Sequence, residues 1–595
     1  MKKTAVCSLQ LVIPLFVLVS CGPMSVRSDD EHEQSPRGTA SRKSIGNWVG
    51  CNGTSDDTGG AAKAFAAARH GAFTLVVDCP VNIKIGMDIA RPIFIDDGTA
   101  VEFAGSGKFK VDNTFIPAFV IADSSNITLT NWNVEYDAGL PLDQNVGGFT
   151  NNGEFVRGPK PANAFNDARL SGWLAANRGI VFDKSQGGVN STWTGTTNAC
   201  AVFFITGDSS NIRVTGMRIG APAAAGGDRF IPVVFSLGAN IKRNQTVSAK
   251  TPMTGQFYAV PHDLKFSDIS LDGTYMGWVG GLQNAVFENI QSQRYGDLQD
   301  ADGGTVGGLK KWFAPPHLFY FIYSPTGDPG LFNTNIEIRH VIDNGVRVGK
   351  ARDAGGADTL SGYALSLKIG CVNCRVDDYK SARPDGVLDV LSSDGLTITN
   401  VTATYDSSFL NNLFPGWRFP AAPYKNVRFE NIKLIDTAAS SIVPPIGNVN
   451  QLPPKGNVNQ PNNEGIIFKN VRVEMNHWAG TAGPPLPAIA GRATEASMEY
   501  SIAGDASRIV KSRKGSVEMT FQAAPSTVGV GTPTVLTWTA KEARQCIAGG
   551  SWSGALGTSG TRTVNMTAAG DHEFTLTCKN DTEAAETKLR VVVSP

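Results

Sequence analysis

A short pattern that recurs at irregular intervals constrains this chain more than anything else in it. Asn126-Ile127-Thr128-Leu129-Thr130-Asn131-Trp132 is one copy and Asn211-Ile212-Arg213-Val214-Thr215-Gly216-Met217 is another. Further copies begin at Asp263, Asn284, Asn335, Gly395, Asn426 and Gly465, and the stretch from Asn426 to Ile432 nearly repeats the one from Asn284 to Ile290. Each copy alternates apolar and polar residues, as a strand with one buried face does. It then reaches Asn or a substitute, residues that tolerate the left-handed backbone angles of a bend. Strands that bend at the same place stack, and their asparagines then hydrogen-bond along a ladder. Asn131, Asn289, Asn400, Asn431 and Asn470 are the ladder candidates, with Gly216, Asp268 and His340 as substitutes. At these positions, His340 included, a structural role suffices and no chemistry is assigned. The uneven spacing fits a solenoid whose coils carry insertions of different length.

Composition agrees with a β-rich chain: 65 glycines among 595 residues, with few helical runs. Its 53 basic and 53 acidic residues balance, which argues against a nucleic-acid binder. Lys2 and Lys3 precede an apolar run from Leu9 to Val19, and Leu18-Val19-Ser20-Cys21 follows. This resembles the lipobox of bacterial lipoproteins. The resemblance implies cleavage before Cys21, lipidation of its thiol, and an envelope location, in a Gram-negative cell the outer membrane. Residues 1–21 then form the signal and 22–45 a polar, flexible tether. An exported chain can keep disulfides. Cys51–Cys79 and Cys546–Cys578 are the expected pairs, with Cys200 free and buried. Cys371-x-x-Cys374 is open between a local disulfide and two buried thiols.

Ser55-Asp56-Asp57-Thr58 leads into GGAAKAFAAARHG, a short helix with Asp57 or Thr58 as its cap, and a strand over Phe73–Val77 follows. This opening and the repeat together resemble the pectate-lyase type of right-handed parallel β-helix, over residues 46–515. The resemblance implies a fold found mostly in polysaccharide-cutting enzymes and in some adhesins and phage spikes. Insertions at 137–200, 221–262 and 297–333 are expected to build a groove, and 441–463, with GNVNQ at Gly447 and Gly456, an inert loop. From residue 516 the pattern changes to short strands: Val517–Phe521, Val535–Trp538, Thr563–Met566 and Phe574–Cys578. Residues 516–595, with PSTVGVGTPTVLTW and two cysteines, resemble a bacterial immunoglobulin-like β-sandwich, which implies a spacer or contact module. The expected fold class is thus all-β, a right-handed parallel β-helix followed by that sandwich.

Two constellations carry potential chemistry. The first holds Arg294, Tyr295, Asp297, Asp300 and Asp302, then Lys310, Lys311, Trp312, His317 and Tyr320. Glycoside hydrolysis needs one protonated and one ionised carboxyl. Asp300 and Asp302 in an extended segment lie roughly 6–7 Å apart at the backbone, near the inverting separation. Asp297, Asp300, Asp302 and His317 are the catalytic candidates, and Arg294, Tyr295, Lys310, Lys311, Trp312 and Tyr320 the substrate-binding ones. The second holds Asp377, Asp378, Lys380, Arg383, Asp385 and Asp389, and Arg383 to Asp389 resembles a polygalacturonase motif. Three functions are open. Hydrolysis of a polysaccharide comes first and requires no cofactor. Elimination on a uronate glycan comes second, with Lys310, Lys311, Lys380 or Arg383 as cation or base and calcium on Asp297, Asp300 and Asp302. Non-catalytic glycan binding by a monomeric surface protein comes third.

Overall fold

The structure is a computed structural model. It describes residues 41–84, 92–111, 118–136, 201–220, 233–242, 254–272, 275–296, 317–321, 333–348, 366–383, 387–407, 424–441, 465–479, 493–503, 508–514, 517–580 and 584–595, with isolated short pieces between them. Cys21, Cys200, Asp297, Asp300, Asp302, Lys311, Trp312 and Asp385 lie outside the described residues.

The repeat copies stack as parallel strands. Ser125–Thr130 pairs with Ser210–Thr215, which pairs with His262–Asp272, and that with Leu282–Gly296. The stack continues through Asn333–Val348, Arg375–Ser381, Thr397–Tyr405, Arg428–Asp436, Ile466–Met475 and Ala493–Ile502, all parallel. A second, 10-stranded parallel sheet of short strands runs from Ile93–Phe94 to Ile446–Asn448. One strand of each sheet per coil defines a parallel β-helix. The short sheet includes Val233–Gly238, Phe319–Phe321 and Ile446–Asn448. The segments 221–262, 297–333 and 441–463 are therefore not wholly insertions: each supplies one rung, and Gly447 of the first GNVNQ copy sits in a strand.

Both ends of each repeat copy bend. Asn126, Asn211, Asp263, Asn284, Asn335 and Asn426 have positive φ, and so do Asn131, Asp268, Asn289, His340, Asn400, Asn431 and Asn470. Their amides form two ladders. In one, Asn211 Nδ2 donates to Asn126 Oδ1 at 2.6 Å and Asn335 to Asn284 at 2.9 Å. In the other, Asn431 donates to Asn400 at 3.2 Å and Asn470 to Asn431 at 2.7 Å. Gly216 takes a rung where an added Cβ would lie 2.4 Å from Asn131 Oδ1. One copy escapes the sequence reading: Asn373 and Asp378 are also bend residues, with φ of 55° and 49°.

The inward faces form an apolar core that includes stacked rings. Phe119, Phe203 and Phe235 follow one another at centroid spacings of 5.1 and 5.2 Å, and Phe266 and Phe287 stack at 4.8 Å. The helix Thr58–Ala68 covers the first coils, burying Ala61, Ala64, Phe65 and Ala68 at helical spacing. Asp57 precedes it, but its carboxylate accepts from Gly50 N and Asn82 N; the Thr58 N–H goes to Asp56 Oδ1 at 3.0 Å. Cys51–Cys79 ties this end. Cys371 and Cys374 are both free, buried thiols, and burial raises the Cys371 pKa.

Residues 517–595 have a separate core. An antiparallel sheet of Glu518–Ala524, Pro533–Lys541 and Ser559–Asn565 and a five-stranded sheet around Gly570–Lys579 both contribute, through Leu536, Trp538, Phe574 and Leu576. The Cys546–Cys578 disulfide lies within the five-stranded sheet.

Candidate functional site

Three neighbouring strands, Leu282–Gly296, Asn333–Val348 and Arg375–Ser381, carry two adjacent outward rows. The bend row runs Asn289, His340, Asp378 and then Asn400. The next row runs Gln291, Ile342 and Lys380, which are register partners. Between these rows lies a groove of 230 Å³ lined by Asn289, Gln291, His340, Ile342, Asp378 and Lys380, among others.

At two consecutive rungs the ladder exchanges amides for an imidazole and a carboxylate. His340 Nδ1 lies 2.9 Å from Asp378 Oδ2, and Lys380 Nζ lies 3.7 Å from Asp378 Oδ1. A carboxylate only accepts, so the His340 Nδ1–H donates and Nε2 keeps its lone pair when the ring is neutral. The side chains are open to solvent: His340 is 55% exposed, Asp378 41% and Lys380 60%. Ile342, at 40% exposure, adds an apolar surface beside them. The arrangement supplies an oriented proton acceptor, a group to stabilise its protonated form, and a cation.

Asp377, next in sequence, has a different task. Its Oδ1 accepts from Thr399 Oγ1 at 2.8 Å and Asn400 Nδ2 at 2.7 Å, and Arg375 bonds Oδ2. Burial would raise its pKa, but the Thr399 and Asn400 bonds and the Arg375 charge outweigh it and hold the carboxyl below its ordinary value. Asp377 therefore carries the ladder past Asp378 to Asn400.

The remaining candidates fall elsewhere. Arg294 and Tyr295 lie on the Leu282–Gly296 strand, and Lys310 on a two-residue strand paired with Thr305–Val306. His317, Tyr320 and Asp389 converge, although they come from different constellations. Tyr320, Lys368 and Asp389 are consecutive partners on the short-strand sheet. The His317 ring meets Tyr320 edge-on at 5.1 Å, Lys368 Nζ sits 4.6 Å over the Tyr320 ring, and it lies 3.8 Å from Asp389 Oδ2. His317 and Asp389 have no exposed surface, while Tyr320 and Lys368 are half-buried, so the two catalytic-type groups here do not face a polymer. Arg383 is also fully buried, in an ion pair with Asp343 at 2.6 Å.

Sequence reasoning had Asp378 and Lys380 but set His340 aside as a bend residue. It is one, and its chemistry comes from a partner 38 residues away. Ile342 and Gln291 carried no signal of their own. Among the described residues no cluster of three or more His, Cys, Asp or Glu side chains is arranged to hold a metal ion.

The fold and groove define a class, a parallel β-helix with an open, ionisable groove on its bent sheet. No protein-family model and no curated protein sequence matches the chain. Among solved structures it is similar to the A-module of a mannuronan C-5 epimerase of Azotobacter vinelandii, at 9% identity over 75% of this chain and 100% of the other, TM-score 0.29. It is similar to a polygalacturonase of Erwinia carotovora subspecies carotovora at 10% identity, over 76% and 95% of the two chains, TM-score 0.29. A surface adhesin of Streptococcus pneumoniae matches at 9% identity, over 81% and 96%, TM-score 0.33. Likenesses of this size assign neither activity nor substrate to this chain.

Proposed function

We infer that this protein acts on a polysaccharide and that the His340–Asp378–Lys380 groove is where the chain binds and reacts. One observation carries the reading: among the described residues, both rungs between Asn289 and Asn400 are ionisable, they bond to each other, and they line an open groove with a lysine. A bend does not call for the imidazole, since Asn289 and Asn400 serve at the flanking rungs. A carboxylate also serves at Asp268, but there it accepts from the amide of Asn289, whereas Asp378 engages His340 and Lys380.

The residues fit elimination on a uronate glycan better than hydrolysis. Hydrolysis needs two carboxyl groups facing one bond. Asp378 is the one carboxylate lining the groove among the described residues, and it is engaged by His340 and Lys380. In elimination, His340 Nε2 takes the proton from the carbon next to the sugar carboxylate. That C–H pair forms the new double bond to the neighbouring carbon, whose glycosidic oxygen leaves with its bonding electrons and picks up a proton. Lys380 neutralises the carboxylate as charge moves onto it, and Asp378 stabilises the imidazolium. Hydrolysis through Asp297, Asp300 and Asp302 is the second reading, and glycan binding without turnover the third.

A panel of uronate-containing and neutral polysaccharides, assayed together for ultraviolet-absorbing unsaturated ends and for reducing ends, separates them. Elimination yields both signals on a uronate polymer. New reducing ends without ultraviolet absorbance would establish hydrolysis, and retention of polymer with neither signal would establish binding alone.

A further inference from the structure

The interior of the solenoid is apolar along most of its rows. On one inward row the successive partners are Leu271, Ser292, Asp343, Ser381, Ala403 and Leu434. On the next they are Ile269, Ile290, Val341, Tyr379, Val401 and Ile432. Along these stretches the polar residues are Ser292, Asp343, Ser381 and Tyr379, all in the three coils that build the groove; further along the first row the described residues add one more buried hydroxyl, at Tyr500.

Asp343 and Tyr379 share one network with Ser366 and Arg383. Asp343 Oδ2 accepts from Arg383 Nε at 2.6 Å and from Ser366 Oγ at 2.6 Å, and Ser366 Oγ lies 2.8 Å from the Tyr379 hydroxyl. All four residues are buried, at 0–1% exposure. Burial, with the Asp343 charge, pushes the Tyr379 phenol far up, so it stays a neutral donor. The backbone joins in: Ala382 N donates to Asp343 O at 2.8 Å. Gly345, at φ 64°, lets the strands approach so closely that an added Cβ would lie 2.0 Å from Ala382 O.

Stability is a poor reason for this network. A buried ion pair repays its desolvation only in part, and apolar residues of similar volume commonly do as well. The neighbouring coils use such residues at the same register. What distinguishes these coils is their outer face. Tyr379 stands between Asp378 and Lys380, and Asp343 follows Ile342, so each inward anchor fixes outward groove residues on its own strand.

We propose that Asp343 and Tyr379 are positioning residues of the groove, holding from inside, through Ser366 and Arg383, the two strands whose outer faces present His340, Asp378 and Lys380. This rests on the elimination reading for its turnover readout, but not for its structural one.

The test uses the full chain with Asp343→Leu/Arg383→Met, which removes both charges together, and separately Tyr379→Phe. Thermal unfolding, steady-state kinetics on the uronate polymer and imidazole 15N spectra of His340 are measured on each. In the wild type one tautomer is expected, with Nδ1 protonated against Asp378. In the charge-free variant the tautomers mix and kcat falls about 10- to 100-fold with KM nearly kept, while the melting temperature stays near wild type. Tyr379→Phe, which deletes one hydroxyl, gives the same pattern about 3- to 10-fold in kcat and serves if the double variant fails to fold. A folded variant with a single tautomer and unchanged kcat overturns the proposal, as does a wild-type spectrum already mixed. A wild type with one locked tautomer but no turnover on any polymer defeats the elimination reading instead; the variant spectra then decide on positioning.

Discussion

Two stretches of one ladder share a backbone and differ in purpose. At Asn400, Asn431 and Asn470, each residue has φ near 55°; Asn470 donates to Asn431 and Asn431 to Asn400, while Asn400 itself donates to Asp377. At His340 and Asp378 the φ values are 54° and 49°, so the bend is the same. The side chains there no longer continue an amide ladder. They bond to each other, stand open to solvent and meet Lys380 across a groove. The contrast teaches that the bend fixes only a tolerance for left-handed angles. Where amides fill it, the rung stabilises the stack. A carboxylate can fill a rung as an acceptor, as Asp268 does for Asn289, but an imidazole bonded to that carboxylate is a choice the ladder does not account for.

The sharpest way to break this contrast is to complete the ladder. His340→Asn with Asp378→Asn places amides on successive rungs from Asn289 to Asn400. Asn is the better residue at positive φ, and each new amide bond adds about 0.5–1.5 kcal/mol. Melting temperature should therefore hold or rise. Loss of the proton acceptor should lower turnover on the responsive polymer about 10²–10⁴-fold. A variant that keeps its turnover would return His340 to a purely structural role.

The converse change is made where the ladder is all amide. Asn431→Ala deletes the bonds to Asn400 and from Asn470 and leaves Ala at a φ of 57°. Two hydrogen bonds and one left-handed Ala together amount to about 2–5 kcal/mol. Denaturant unfolding should show that loss while turnover per folded molecule stays at wild type. If activity falls and stability does not, the two stretches are not distinct in kind.

The ladder was legible in the sequence because a bend at positive φ admits few residues. Asn, Asp and Gly at fixed offsets from an alternating strand leave a signature in one dimension. The copy at Asn373–Tyr379 hid because Cys374 fills its first apolar place and Asp377-Asp378 looks like a charge cluster. The groove was only half legible. Asp378 and Lys380 are two apart on one strand, but His340 and Ile342 reach them through strand register, across an insertion of unrelated sequence. Stacked rungs lie 85 residues apart at Asn126 and Asn211 and 21 apart at Asp263 and Asn284, so spacing does not predict neighbours. Lys368 and Asp343 were invisible for the same reason. Lys368 is one polar residue in an apolar strand and Asp343 one of many polar residues in its own, and only stacking shows what each meets.

The smallest effect concerns the flank of the ladder. Glu288 and Glu430 stand in the same place, one residue before Asn289 and Asn431. Glu288 pairs with Lys265 at 2.8 Å and with Arg339, and Glu430 with Arg428 at 2.7 Å and Lys469 at 3.0 Å. Partial burial would raise the Glu288 pKa, but hydrogen bonds from Lys265 and Arg339 outweigh it and lower it from 4.5. A lowered folded-state pKa contributes stability above the unfolded value, and that contribution is lost as pH falls through the folded one. Glu288→Gln should therefore melt below wild type near neutral pH, by an amount corresponding to about 0.2–1 kcal/mol for each pair it breaks. The two curves should converge once the medium is acid enough to protonate Glu288. Glu430→Gln, whose carboxyl is also held low by Lys469 and Arg428, should show the same convergence. Its deficit should be smaller, because its pairs stand more open to solvent and salt. A Glu288→Gln deficit that stays constant from neutral to acid pH would mean that packing around residue 288, and not its charge, supports the strand that carries Asn289 into the groove.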